Sequence, residues 1–278
     1  MEGGKQMSDK KYLRNDKLPH IWCPGCGNGI VLSALERALE KANVDKDKTI
    51  IVSGIGCSSR MPTYMDFNTL HTTHGRALAY ATGVKLAHPE LTVFVIMGDG
   101  DGTAIGGNHL IHACRRNIGL NAIIVNNNIY GMTGGQYSPL TPTGMKATTA
   151  PYGMVERNFD LCDLARSAGA TYVARGTVFH AKALTDLILE SMENDGFSLV
   201  EALSTCPIGF GRRNKIRGNY ELMEWVKNRT VNVRAAAKMT EEELEGKLLI
   251  GKLYSKPAEE YTKCYDKIIE IAQKEAKR

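Results

Sequence analysis

Five apolar runs set among helix-patterned segments limit this chain to one class of fold. TIIVSGIG (49–56), LTVFVIMGDGD (91–101) and NAIIVNNN (121–128) are short, rich in Val and Ile, and end in glycine or polar residues, as buried strands do. TYVARG (171–176) and FSLVEALST (197–205) read the same way. Before and between them lie GNGIVLSALERALEKA, HGRALAYATGVKLA, GGNHLIHACRRN, NFDLCDLARSAG and HAKALTDLILESMEN, all helical in pattern. In the first of these, Val31, Leu35 and Leu39 share one face through their spacing of four. Strands alternating with helices predict an α/β fold, a mostly parallel sheet with helices on both faces. Ligands in such a sheet sit beyond the carboxyl ends of its strands. GIGCSSR, GDGDG and NNNIYG fall there.

The 278 residues suffice for one large domain or two small ones. Residues 1–211 are expected to form the ligand-binding domain. From residue 212 the chain changes character: GRRNKIRGNYELMEWVKNR and the C-terminal end are charged and helical in pattern. Residues 212–278 are therefore expected to be a helical extension that wraps the core or meets a partner. Residues 131–158 are the longest aperiodic stretch, rich in Gly, Pro and Thr, and a loop of that length in a compact domain is usually functional or disordered. The formal charge of +5 is small, and no face interleaves dense Lys and Arg with aromatics, so nucleic acid is not an expected partner. The N-terminus is polar and has no apolar signal core, and no apolar run reaches the length of a membrane span. A cytoplasmic protein without a membrane association is expected.

GDGDG ends an apolar strand at Asp99, and Asn127 ends the next. Each is weak alone. Together they bring a carboxylate and an amide carbonyl to the ends of neighbouring parallel strands, two hard oxygens of the kind Mg²⁺ takes alongside phosphate and water. Gly98, Gly100 and Gly102 let the backbone approach a diphosphate, and the helix starting near Gly106 points its amide end to the same place. A dinucleotide fingerprint fits badly: after Gly98 and Gly100 it needs glycine at 103, where Thr103 stands, and asparagines rather than an acid end the next strand. The spacing resembles the thiamine diphosphate motif, GDG followed by asparagines. That resemblance makes Asp99, the Asn127 side chain and the Ile129 carbonyl the Mg²⁺ ligands, with Asn126 and Asn128 as alternative registers.

Of seven cysteines, Cys23 and Cys26 stand in WCPGC, Cys57 follows the first strand and Cys206 follows the last clear one. A parallel sheet brings Cys57 and Cys206 to the side where Asp99 and Asn127 sit, and Cys23 with Cys26 would complete four thiolates. A disulfide suits a cytosolic chain poorly. A thioredoxin-type dithiol lacks the preceding strand. Structural zinc and an iron–sulfur cluster both accept four thiolates. Cys-Pro pairs at Cys23-Pro24 and Cys206-Pro207 favour the cluster, and an electron acceptor explains why the site adjoins a thiamine cofactor. Cys114, Cys162 and Cys264 read as structural.

WCPGCGNG, GIGCSSR, HTTHGRA, GDGDGTAIGGNH, RRN and NNNIYGMTGGQYSPLTPTG occur in that order. Across roughly residues 15–215 the chain resembles the beta subunit of 2-oxoacid:ferredoxin oxidoreductases, the thiamine-binding half of those enzymes. The resemblance implies a thiamine diphosphate-binding fold. It implies a [4Fe-4S] cluster on Cys23, Cys26, Cys57 and Cys206, and Mg²⁺–thiamine diphosphate at Asp99, Asn127 and Ile129. Ile55, Gly56, Cys57 and Ser58 would line the cofactor. His74, Gly98, Gly100 and Asp101 would meet its diphosphate side, and Gly131, Met132 and Thr133 would close the site. Arg60 would meet the substrate carboxylate.

The implied reaction is oxidative decarboxylation of a 2-oxoacid, with coenzyme A taking the acyl group and ferredoxin the electrons, or its carboxylating reverse. CSSRMPTYMDFNTLHTTHGRA looks most like the 2-oxoglutarate type; pyruvate, branched-chain and aryl oxoacids are the alternatives, as is a non-redox thiamine decarboxylase or synthase with structural zinc. The cofactor-activating glutamate of thiamine enzymes has no counterpart in this sequence. In the family the alpha subunit supplies it, so a dimer of alpha–beta heterodimers is expected, and the chain alone should be inactive.

Overall fold

The computed structural model describes residues 11–277. Residues 1–10, part of the polar N-terminus read above, lie outside the described residues. The strands are β1 (Thr49–Ser53), β2 (Asn68–His71), β3 (Thr92–Gly98), β4 (Asn121–Asn126), β5 (Tyr172–Thr177), β6 (Ser198–Leu203), β7 (Thr230–Asn232) and β8 (Leu248–Ser255). The helices are α1 (Asn28–Ala42), α2 (Met61–Tyr64), α3 (Ala77–Ala87), α4 (Gly107–Arg116), α5 (Leu161–Ala168), α6 (Ala181–Ser191), α7 (Asn219–Asn228), α8 (Val233–Ala236), α9 (Glu241–Leu244) and α10 (Tyr261–Glu275). The eight strands form one sheet in the order β2-β1-β3-β4-β6-β5-β8-β7. β1 to β6 all run parallel. β8 joins β5 antiparallel, with β7 parallel to β8.

The central strands are buried on both faces because alternate side chains meet a different helical layer. On β3, Phe94 and Ile96 pack under Leu35 and Leu39 of α1 and Leu184 and Ile188 of α6. Val93, Val95 and Met97 point the other way, to Leu78 of α3, Leu110 of α4 and Leu161 of α5. Burying each such side chain contributes about 1.5–3 kcal/mol, and a residue that must face helices on either side has to be apolar at every position. That is why these strands read as unbroken apolar runs.

The segment after residue 212, expected to be helical, also holds β7 and β8. β8 is an outer strand in a charged stretch: Ile250 is buried while Lys252 is exposed, and its pairing with β5 shifts register at Val173/Ala174. β2, at the opposite edge, is mostly exposed. Half-covered strands need no apolar run, so none of the three announces itself in the sequence.

Candidate active site

Parallel pairing brings the carboxyl ends of β1, β3, β4 and β6 to one rim. Gly98 pairs with Val125, and Val125 with Ala202, so Asp99 and Asn127 lie just beyond adjacent strand ends, with Cys206 beyond the next. A cleft opens here. Its lining comprises Ile55, Gly56, Cys57, Ser58, His74, Gly98, Asp99, Gly100, Asp101, Asn127, Ile129, Tyr130, Gly131, Met132 and Thr133. Fourteen are residues the sequence singled out; Tyr130 is the addition. The enclosed volume is only about 40 Å³, against roughly 300–1,000 Å³ for a pocket that encloses a ligand. The cleft on this chain is therefore too small to enclose a ligand by itself.

The Asp99 carboxyl is fully buried, and burial pushes it up to about 7 despite hydrogen bonds that pull the other way. Ser138 donates to its Oδ2 at 2.6 Å. No cation pairs with Asp99 among the described residues, and a buried carboxylate in that state is costly. A metal ion in the cleft would relieve it. The three asparagines part company here. Asn126 donates its amide to Glu201 at 2.7 Å and so belongs to the sheet interior. Asn128 takes a left-handed conformation, φ 63°, that turns the chain. Asn127 lines the cleft, its Oδ1 accepting the Ile129 N–H at 3.2 Å.

Asp101 is a hub through one oxygen, and its other, Oδ2, is buried without a partner. Its Oδ1 accepts from the Gly75 N–H at 2.6 Å and lies 2.5 Å from His74 Nδ1, tying the 72–76 loop to the GDGD turn. Burial raises its pKa; the Gly75 and His74 contacts lower it. The His74 ring also meets Tyr130 edge-on, and Tyr130 donates to the Gly100 carbonyl at 2.9 Å. Asp101–Ile105 and Pro207–Gly211 are single π-helical turns, a rare form that concentrates at functional sites.

The four cysteines named from the sequence come together beside this cleft. The Cys26 thiol is pushed up to about 12, first by burial, with Cys206, Cys57 and Cys23 adding to the rise. Cys57 is pushed up to about 11 by burial, then by Cys206 and Cys23. A Cβ on Gly131 would lie 3.5 Å from both Cys206 Sγ and Cys57 Sγ, so those sulfurs flank one small space that any larger residue would fill. The CPGC loop is held to the Cys206 segment by the Gly27 N–H on the Thr205 carbonyl at 3.1 Å and the Thr205 hydroxyl on the Gly25 carbonyl at 2.9 Å. Trp22 donates its indole N–H to the Cys57 carbonyl at 2.7 Å. The Asn28 amide, Ser59 Oγ and Ser204 Oγ are buried without partners, each two residues from one of these four cysteines. Among the described residues, no three His, Cys, Asp or Glu side chains are gathered tightly enough for a single metal ion. The four thiols lie within mutual electrostatic reach.

Arg60 is exposed and does not line the cleft, though its charge lowers the Cys57 pKa. Ser138, Tyr130 and Thr205 lie within stretches the sequence marks, but nothing in the sequence singles them out: each acts through contacts across many residues. Cys114 and Cys162 are buried, and Cys264 is exposed on α10.

A parallel sheet with this rim defines a thiamine-type cofactor domain. Residues 54–202 match the family described as thiamine pyrophosphate enzyme, C-terminal TPP binding domain. The chain is 56% identical over 250 residues to 2-oxoglutarate synthase subunit KorB of Methanothermobacter marburgensis, covering 90% of this chain and 88% of that protein. It is 42% identical over 188 residues to the 2-oxoacid:ferredoxin oxidoreductase subunit beta of Saccharolobus solfataricus, covering 67% and 62%. A solved 2-oxoglutarate:ferredoxin oxidoreductase from Magnetococcus marinus, with 2-oxoglutarate, coenzyme A and succinyl-CoA bound, superposes with a TM-score of 0.85 at 35% identity, over 97% of this chain and 92% of that one. This chain belongs to the beta subunits of the 2-oxoacid:ferredoxin oxidoreductases. Among the described residues, no helix is long and apolar enough to cross a membrane.

Proposed function

We propose that this chain is the cofactor- and cluster-bearing subunit of an enzyme that oxidises 2-oxoglutarate to succinyl-CoA and CO2. The observation that carries this reading is the double role of Cys57, which lines the cleft and also flanks Cys206 across Gly131. A cofactor in the cleft and a cluster on the thiols would then be near neighbours. Asp99, Asn127 and the Ile129 carbonyl hold Mg²⁺, and Cys23, Cys26, Cys57 and Cys206 hold the [4Fe-4S] cluster. Residues 1–211 carry both, and 212–278 is the extension that wraps the core or faces a partner.

Per turnover the C1–C2 bond of the oxoacid breaks and a carbon–sulfur bond to coenzyme A forms, releasing CO2, one proton and two electrons, which two ferredoxins take singly. Bound thiamine diphosphate supplies the electron sink for the decarboxylation. The chain's part is to orient and to exclude water. Asp101 fixes His74 and the Gly75 loop against the diphosphate side, Ile55, Gly56, Ser58, Gly98 and Gly100 line its path, and Gly131, Met132 and Thr133 form the far lip. Arg60 meets a substrate carboxylate from outside the cleft.

No glutamate lines the cleft, and it encloses only about 40 Å³. An alpha subunit that completes it and brings the activating carboxylate fits both facts, in a dimer of alpha–beta heterodimers. All seven cysteines are free, as suits the cytoplasm. The test is 2-oxoglutarate- and coenzyme A-dependent reduction of methyl viologen by the co-purified heteromer, beside pyruvate, branched-chain and aryl oxoacids. We expect 2-oxoglutarate to lead the panel and the isolated chain to be inactive. Iron and sulfide counts with dithionite bleaching decide between cluster and zinc; a colourless zinc protein would defeat the reading.

A further inference from the structure

Beside Cys206 the chain raises a loop whose charge the cofactor site does not use. Arg212, Arg213, Lys215 and Arg217 are all exposed within six positions, and Lys146 is exposed alongside them. Among the described residues none of the five enters an ion pair. Glu221 is the acidic neighbour in sequence, and it folds back against Gly218.

The loop is built, not slack. The Lys146 N–H donates to Asn214 Oδ1 at 2.8 Å, and Asn214 Nδ2 donates to the Lys146 and Phe210 carbonyls at 3.1 and 3.0 Å. The Gly211 N–H reaches the Cys206 carbonyl at 2.9 Å, and the Arg212 N–H the Pro207 carbonyl at 3.0 Å. The backbone that carries the cations is thereby anchored to the turn that follows Cys206. Lys215 holds a left-handed φ of 60°, a strained conformation for a side-chain-bearing residue.

Apolar side chains stand exposed on the same rim. Ile208, two residues past Cys206, is 45% exposed, and Ile21, two before Cys23, is 70% exposed. Tyr220 is 73% exposed, and it adjoins the CPGC loop because its neighbour Asn219 lies so close to Gly25 that a Cβ there would overlap it. An apolar centre rimmed by charge is the anatomy of a protein-binding face. None of the five cations lines the cofactor cleft, and on an exposed loop they suit a broad acidic face better than a small anion held in a pocket.

We infer that the Arg212–Arg217 loop, with Lys146 and the apolar group Ile21, Ile208 and Tyr220, is the docking surface for a small acidic electron-carrier protein. The inference rests on the cluster assignment above and adds where the electron leaves. Each encounter moves one electron from the reduced cluster to the oxidised carrier, so two encounters clear one turnover. A weak interface with a salt-sensitive on-rate serves such traffic, because the carrier must leave as readily as it arrives.

The experiment uses the assembled enzyme with Arg212, Arg213, Lys215 and Arg217 all changed to Gln, and a variant with Arg213→Gln alone in case the fourfold change does not assemble. An acidic [4Fe-4S] ferredoxin and methyl viologen are compared as acceptors. The expected result is a KM for ferredoxin raised about tenfold or more in the fourfold variant and about two- to threefold in the single one, with viologen reduction unchanged. In the unaltered enzyme, kcat/KM for ferredoxin should fall steeply with salt, and the fourfold change should flatten that slope. An unchanged ferredoxin KM overturns the inference. So does loss of viologen reduction together with loss of the partner subunit on gel filtration, which would give this face to subunit assembly. If the unaltered enzyme fails to reduce viologen at all, the functional reading beneath fails, and that outcome is distinct from the others.

Discussion

The sheet has two rims, and they contrast sharply. At the amino end a concavity of about 760 Å³ is bordered by Tyr172, Glu190, Glu193, Asp195 and Lys252. At the carboxyl end the cleft encloses about 40 Å³. The roomy rim has settled charges: Lys252 pairs with Glu190 at 3.0 Å and Lys263 with Asp195 at 2.5 Å, in half-exposed contacts that contribute little to stability. The cramped rim holds a buried carboxylate without a cation, thiols pushed far above their usual range, orphaned polar atoms and two π turns. Volume marks a place where something fits. Unresolved charge marks a place where something is missing, and that is the better guide to chemistry.

The contrast breaks most readily at Asp99. Asp99→Asn should cut oxoacid-dependent viologen reduction by about 10³-fold, since it removes the charge of the proposed Mg²⁺ ligand. In the absence of metal the same variant should melt at or above the parent temperature, because a buried charge has gone; a lower melting point would mean that Asp99 is structural. Cys206→Ser should abolish the visible absorption that dithionite bleaches, whereas Cys264→Ser should leave iron content unchanged; equal effects would erase the distinction between cluster and surface thiols.

Next in size is Glu201, which accepts from Arg175 Nε at 2.6 Å and from Asn126 at 2.7 Å in the sheet interior. Glu201→Gln leaves Asp160, at 2.6 Å, as the carboxylate still paired with the buried Arg175 guanidinium, and should cost about 1–3 kcal/mol in denaturant unfolding. Glu193→Gln, at the roomy rim, should shift stability by less than about 0.5 kcal/mol and leave activity alone. The smallest effect concerns His180, whose pKa is lowered first by burial and then by Lys227. Below the ordinary histidine range the unfolded chain binds more protons than the folded one. Stability should therefore rise with pH up to about 6.5 and level off above it, and His180→Asn should flatten that slope in pH-dependent melting.

Much of this was legible before any coordinates. β1, β3, β4, β5 and β6 are buried on both faces and so carry continuous apolar runs, and the residues that follow them had to meet at one rim. β2 and β7, at the two edges, and β8, half-covered beside β7, carry no such run because each keeps one side wet. The asparagine register was ambiguous in the sequence, where 126, 127 and 128 look alike. It took Glu201, 75 residues from Asn126, to draw one amide into the sheet while the next residue faces the cleft.

Order along the chain thus determined which chemistry is present: parallel strands, a carboxylate and an amide at strand ends, and four thiols of which two are already at those ends. Tertiary structure alone decided which atoms are free to use it. Whether an oxygen ligates or merely caps a neighbour, and whether a cation is paired or displayed, depends on partners distant in sequence. Local pattern carries no record of them, because contact energies fall off over ångströms in space and take no account of separation along the chain.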